Sequence, residues 1–231
     1  MRSMILKRKH KLDGLKDHLK ECVLLKDDID FKHDFILPYS NAHDISNIKL
    51  VIIGQDPTIQ GVELSSQQRQ KEITTTLDLN NNGNLRRYCD LICTKLNLDL
   101  DKNVYATNLC KCVFKEKPTY NGVLDKHSHL WLPLLKQELS VFPNSVIYIT
   151  LGEPLLKQII HSNMTKVRDY WGYMGKSQSN YDFRSCETKD NWLQKRLYPL
   201  AHQPTWNRKK FYRIYFDAYL QFIIENEKYN K

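Results

Sequence analysis

The chain lacks most of the features that would reveal a function on inspection. No apolar run approaches the roughly 20 residues of a membrane span. The opening stretch MRSMILKRKHKLDGL is basic, but no apolar segment follows it. It therefore does not read as a secretory signal, and the protein is expected in the cytoplasm, or in the nucleus of a eukaryote. There is no glycine-rich phosphate loop, which places a nucleotide-binding small-molecule enzyme last among the α/β possibilities. Six cysteines occur, at 22, 89, 93, 110, 112 and 186, yet neither close pair has C-x-x-C spacing and no histidine follows at zinc-finger distance. They read as reduced, mostly buried thiols, and no metal site is expected. Internal repeats and long low-complexity tracts are missing too.

Acidic residues are outnumbered. The 231 residues carry 35 Lys and Arg against 26 Asp and Glu, a formal charge of +9. A basic protein of this size either meets a polyanion, most often nucleic acid, or simply has a basic surface.

Four short β-rich runs stand out: KLVII at 49–53, VYAT at 104–107, VIYIT at 146–150 and LYPLA at 197–201. Pro199 cannot donate a ladder hydrogen bond, so the fourth belongs at a sheet edge. Helical stripes lie between and around them. Leu12, Leu15, Leu19 and Cys22 form an N-terminal one, and Leu85, Tyr88, Cys89, Ile92 and Leu96 the next. Leu130, Trp131, Leu134, Leu135 and Leu139 follow, with Pro133 near the start or at a kink. Leu155, Leu156, Ile159 and Ile160 make a short stripe, and Phe211, Ile214, Tyr215, Ala218, Tyr219 and Phe222 the last. Strands alternating with helices predict a three-layer α/β/α domain around a four-stranded, mostly parallel sheet. We assign residues 1–35 to a basic helical arm and 36–231 to the domain.

In an open parallel sheet, ligands bind beyond the carboxyl ends of the strands. The first run is followed by Gly54, Gln55, Asp56 and Pro57, the second by Asn108, the third by Gly152, and the fourth by His202 and Gln203. A carboxylate, a carboxamide and an imidazole thus fall on one rim. Each has a plainer reading: Asp56 before Pro57 starts a turn, Asn108 ends a strand, and His202 is a core histidine.

Here a resemblance enters. VIIGQDPTIQ resembles the first motif of uracil-DNA glycosylases, V-x-I-x-G-Q-D-P-Y-H, and AHQPTW is similar to their second, H-P-S-P-L. VYATNLCKC and YITLG resemble the T-N-x-x-K-C and x-x-L-G segments of the iron–sulfur members. The likeness spans about residues 48 to 206. It implies that Asp56 positions water and stabilises a cationic sugar, and that the backbone of Gln55 contacts a uracil carbonyl. It further implies that Asn108 reads the base edge and that His202 hydrogen-bonds the base oxygen as negative charge builds. The reaction would need base flipping but no cofactor.

The chain also departs from that pattern. Thr58 stands where the family has the tyrosine that excludes thymine, and Ile59 where it has a histidine. No aromatic occurs between 59 and 87, so the usual stacking phenylalanine is missing, and Thr74, Thr75, Thr76 or Leu77 is expected to line that side instead. Ser128 stands at a cluster-cysteine position, so no iron–sulfur cluster is expected. Trp206 falls where the family inserts an apolar wedge into DNA, with Arg208, Lys209, Lys210 and Arg213 after it for phosphates. The plainer reading puts Trp206 in the core beneath a solvated basic helix end. The expected protein is a monomeric DNA glycosylase for uracil or a related damaged pyrimidine, with DNA as its partner and no membrane. The rival is a catalytically weak or inactive module of the same fold that binds DNA or protein.

Overall fold

The computed structural model describes residues 2–57, 75–173 and 182–229. In chain order the elements are α1 (Arg2–Glu21), β1 (Leu50–Gly54), α2 (Asn84–Lys95), α3 (Leu100–Asn103), β2 (Val104–Asn108) and α4 (Val123–Leu139), then β3 (Ile147–Leu151), α5 (Glu153–Ile159), α6 (Val167–Tyr170), β4 (Leu197–Leu200), α7 (Gln203–Arg208) and α8 (Lys210–Tyr229). The four strands form one parallel sheet in the order β2-β1-β3-β4. Every residue of β1 is buried, as expected of a central strand covered on both faces. Pro199 lies in β4, which is indeed an edge strand.

Right-handed crossovers assign the helices to faces. The step from β1 to β2 runs one way across the sheet, and the steps to β3 and β4 run the other. So α2 covers one face and α4 and α5 the opposite one. Packing agrees: α2 touches α7 and α8, while α4 touches α5. The result is a three-layer α/β/α sandwich. The reversal of direction lies between β1 and β3, and it opens the rim at their carboxyl ends.

Two helical stripes differ from the sequence reading. On α8 the buried residues are Tyr212, Phe216, Tyr219, Leu220 and Ile223, while Ile214 is exposed. The core face is rotated by about one position from the expected stripe, because large aromatics run nearly all round this helix. On α4 the buried face carries Leu124, His127, Ser128, Trp131, Leu135, Glu138 and Leu139, and Leu134 is exposed. Pro133 sits well inside α4, and the helix continues to Leu139. Three strands also end one residue later than expected, at Gly54, Asn108 and Leu151, so Gly54 and Asn108 form the last rung between β1 and β2.

Candidate active site

Gly54 and Asn108 are Cα partners at the end of the β1–β2 ladder. A Cβ on Gly54 would stand 2.3 Å from Asn108 Oδ1 and 3.2 Å from Leu77 Cδ2. Only glycine leaves room for the carboxamide there. Asn108 is wholly buried, and among the described residues neither its Oδ1 nor its Nδ2 has a hydrogen-bond partner. A buried polar group left unpaired costs on the order of 1–3 kcal/mol. Such a cost persists in a fold when something else meets the group.

The turn after β1 is pinned to the segment after β2. Leu109 N donates to Gly54 O at 2.8 Å, and Cys110 N to Gln55 O at 2.9 Å. Asp56 is thereby held at the rim with 6 % exposure, and Gln55 Nε2 donates to its Oδ1 at 2.7 Å. The neighbouring thiols are inert: burial first, then the Asp56 carboxylate, push Cys112 well above its ordinary value, and Cys110 is raised likewise by burial, Cys112 and Asp56.

His202 immediately precedes α7, and its Nδ1 lies 3.0 Å from Thr205 Oγ1. Gly152, at φ +93°, follows β3 and lies against His202; a Cβ there would meet His202 Cβ at 3.6 Å. Burial, and secondarily Arg208, lower the His202 pKa below the usual 6.5. His202 is nevertheless exposed to solvent, so the shift is weak. The lowered pKa favours the neutral imidazole. A cavity of about 510 Å³ opens beside it, lined by Gly152, Arg168, Tyr173, Lys209 and Phe211 among others.

Among the described residues, Leu77, one of the candidates for the stacking side, lies against the Gly54–Asn108 floor. It and Asp78 both have left-handed backbones, φ 58° and 52°. Such conformations are strained for a leucine and persist where surroundings hold them. Thr76 N donates to Leu37 O at 2.8 Å on one side, and Arg86 donates to Leu79 O on the other. Thr76 itself is buried, with Oγ1 against Leu37 O at 3.3 Å. Thr58, Ile59 and Thr74 lie outside the described residues.

Arg208, Lys209, Lys210 and Arg213 are all exposed where α7 meets α8. Trp206 is half-buried, its ring centroid 5.3 Å from Tyr88 and 5.4 Å from Phe216, with Nε1 covered and unpartnered among the described residues. As placed, the ring points inward, because α2 and α8 present two aromatics to it. A wedge role would require it to leave this packing.

Sequence reasoning overlooked Gly54 as the residue that makes room for Asn108. It also passed over Lys111 and Glu138, buried beneath that asparagine. The lysine was visible in the T-N-x-x-K spacing; the glutamate carried no signal, since a charged residue on a helix reads as surface.

No curated protein gave a match to this chain. The family model described as the Uracil DNA glycosylase superfamily matches residues 41–223. That span contains the whole sheet and every rim residue described above, and the chain belongs to the uracil DNA glycosylase superfamily.

Proposed function

We propose that this protein is a DNA glycosylase that hydrolyses the N-glycosidic bond of uracil, or of a related damaged pyrimidine, after flipping the nucleotide out of the DNA. Family membership supports a hydrolase of the DNA glycosylase type. The observation that carries the reading is the wholly buried carboxamide of Asn108, unpartnered among the described residues, at the rim that also holds Asp56. A carboxamide offers one acceptor and one donor face, which suits the N3–H and O4 of uracil.

The chemistry follows from charge. When the bond between the sugar C1′ and the base N1 breaks, its electron pair leaves with the pyrimidine. Asp56 stabilises the cationic sugar and orients the water that adds to C1′, and the proton released by that water passes to the carboxylate and then to solvent. His202 serves the leaving base. If the Thr205 hydroxyl donates to Nδ1, the imidazole proton sits on Nε2 and is offered to the base oxygen. The lowered pKa of His202 favours the neutral form that this role needs. Thr58, in place of the family's tyrosine, leaves the choice at carbon 5 of the base more permissive. The exposed Arg208, Lys209 and Lys210 serve the DNA backbone, while the Trp206 ring packs on Tyr88 and Phe216.

The test is incubation with oligonucleotides carrying single lesions, followed by alkaline cleavage at abasic sites. Wild-type protein should cut at uracil or a related pyrimidine. Asp56→Asn and His202→Ala should each slow single-turnover excision by at least about a hundredfold, the scale of losing a charge-stabilising group. The absence of aromatics from 59 to 87 favours one second reading, a module that binds without turnover. Tight DNA binding with every lesion left intact would establish that reading instead.

A further inference from the structure

Beneath Asn108 the protein buries a lysine and a glutamate, 4 % and 6 % exposed. Lys111 Nζ donates to Thr107 Oγ1 at 2.7 Å and to the carbonyl of Asn108, and lies 3.1 Å from Glu138 Oε2. These acceptors use all three ammonium hydrogens. Glu138 Oε1 accepts from the hydroxyls of Tyr105 at 2.8 Å and Thr107 at 2.6 Å. Its Oε2 lies 3.4 Å from Arg8 Nη1, and Arg8 Nη2 donates to the Glu138 carbonyl at 3.0 Å. Burial would raise the Glu138 carboxyl, but Lys111 and then Arg8 outweigh it and hold it below the ordinary range. Burial lowers Lys111, and Glu138 offsets part of that.

A buried ion pair is seldom there for stability, because desolvation consumes most of what attraction returns. Apolar side chains of similar volume would fill the same space between β2 and α4. What they would not supply is a charged donor on the Asn108 carbonyl. That carbonyl belongs to the last residue of β2, whose carboxamide has no hydrogen-bond partner among the described residues.

We infer that Lys111, itself held by Glu138, is a positioning residue for Asn108. It anchors the final peptide of β2, so that the direction of the Asn108 side chain is set before any base arrives. The inference rests on the reading of Asn108 as the base reader. Uracil presents N3–H as donor and O4 as acceptor, whereas cytosine presents N3 as acceptor and its amino group as donor. Lys111 does not hold the carboxamide itself; it fixes the peptide from which the side chain projects, and so where its donor and acceptor can stand. A peptide free to shift would present them less squarely to the uracil edge and blunt the difference between the two bases.

Lys111→Met leaves Glu138 paired with Arg8, Tyr105 and Thr107, and Lys111→Met with Glu138→Leu removes both charges. For each variant, excision of uracil and of cytosine is compared in matched oligonucleotides under single-turnover conditions. The side-chain amide resonances of Asn108 are recorded in the free protein, and folding is followed by thermal melting. The expected result is a folded protein whose uracil-to-cytosine ratio falls by roughly tenfold or more, with Asn108 side-chain signals shifted or broadened. A folded variant with the wild-type ratio and unmoved Asn108 signals overturns the inference. If wild-type protein excises no base, the proposed function fails, and the Asn108 signals alone decide the positioning role. Should both variants fail to fold, Thr107→Val, which removes the hydroxyl linking Lys111 to Glu138, is read by the same two criteria.

Discussion

The carboxamide of Asn108 occupies the space that a side chain on Gly54 would need: a Cβ there would stand 2.3 Å from its Oδ1. The two residues face each other as the last rung of a parallel ladder, so neither can move aside without breaking the sheet edge. Gly54→Ala should therefore displace the Asn108 side chain. We expect a stability loss of about 1–3 kcal/mol, the usual cost of overpacking, and a loss of base excision far larger than that change in stability explains. Melting curves and single-turnover rates on one preparation measure both. An alanine variant as active as wild type would remove Asn108 from the base pocket.

The charge state of His202 gives a pH signature. Its pKa is lowered by burial and, secondarily, by Arg208. If the neutral form is the working one, excision stays level through neutral pH and declines only on the acid side, below the ordinary histidine midpoint of 6.5. Arg208→Ala removes a repelling positive charge, so the midpoint should move up, and less so at high salt. Nuclear magnetic resonance titration of His202 reads this directly. A midpoint above 6.5 in the wild-type protein would contradict the assignment.

Trp206 offers a choice between anchor and wedge. Packed on Tyr88 and Phe216, it should behave as an anchor: Trp206→Ala costs roughly 1–3 kcal/mol, less than the loss of a fully enclosed ring. Excision from single-stranded and duplex DNA should then fall together. A loss confined to duplex substrate, with melting unchanged, would show that the ring leaves its packing to enter the stack.

The exposed residues Arg208, Lys209 and Lys210 set the salt response. Affinity for non-specific DNA should fall steeply as salt rises, and the logarithmic slope should shrink by about one unit for each true phosphate contact replaced by alanine. Unchanged slopes in the triple variant would move the DNA path to another part of the basic surface.

Much of this architecture was legible from local pattern. The four strands were visible because a buried parallel strand is a short, continuous apolar run, and Pro199 marked its own strand as an edge because it cannot donate to a ladder on that side. The order of strands and helices placed Asp56, Asn108 and His202 at strand ends, and the G-Q-D-P turn carried the family. What stayed hidden depended on contacts between distant segments. The core faces of α4 and α8 were misjudged because hydropathy cannot fix the phase of a helix that is apolar or aromatic on several sides. Glu138 was passed over because a charge on a helix reads as solvated until a lysine from another element, Lys111, is found beside it. The sequence by itself determined which chemical groups reach the rim, since strand ends follow from runs of residues. Only the tertiary structure decided that Gly54 makes room for Asn108 and that a buried ion pair stands beneath it, because both depend on sheet register and helix docking, which bring together residues that no local pattern connects.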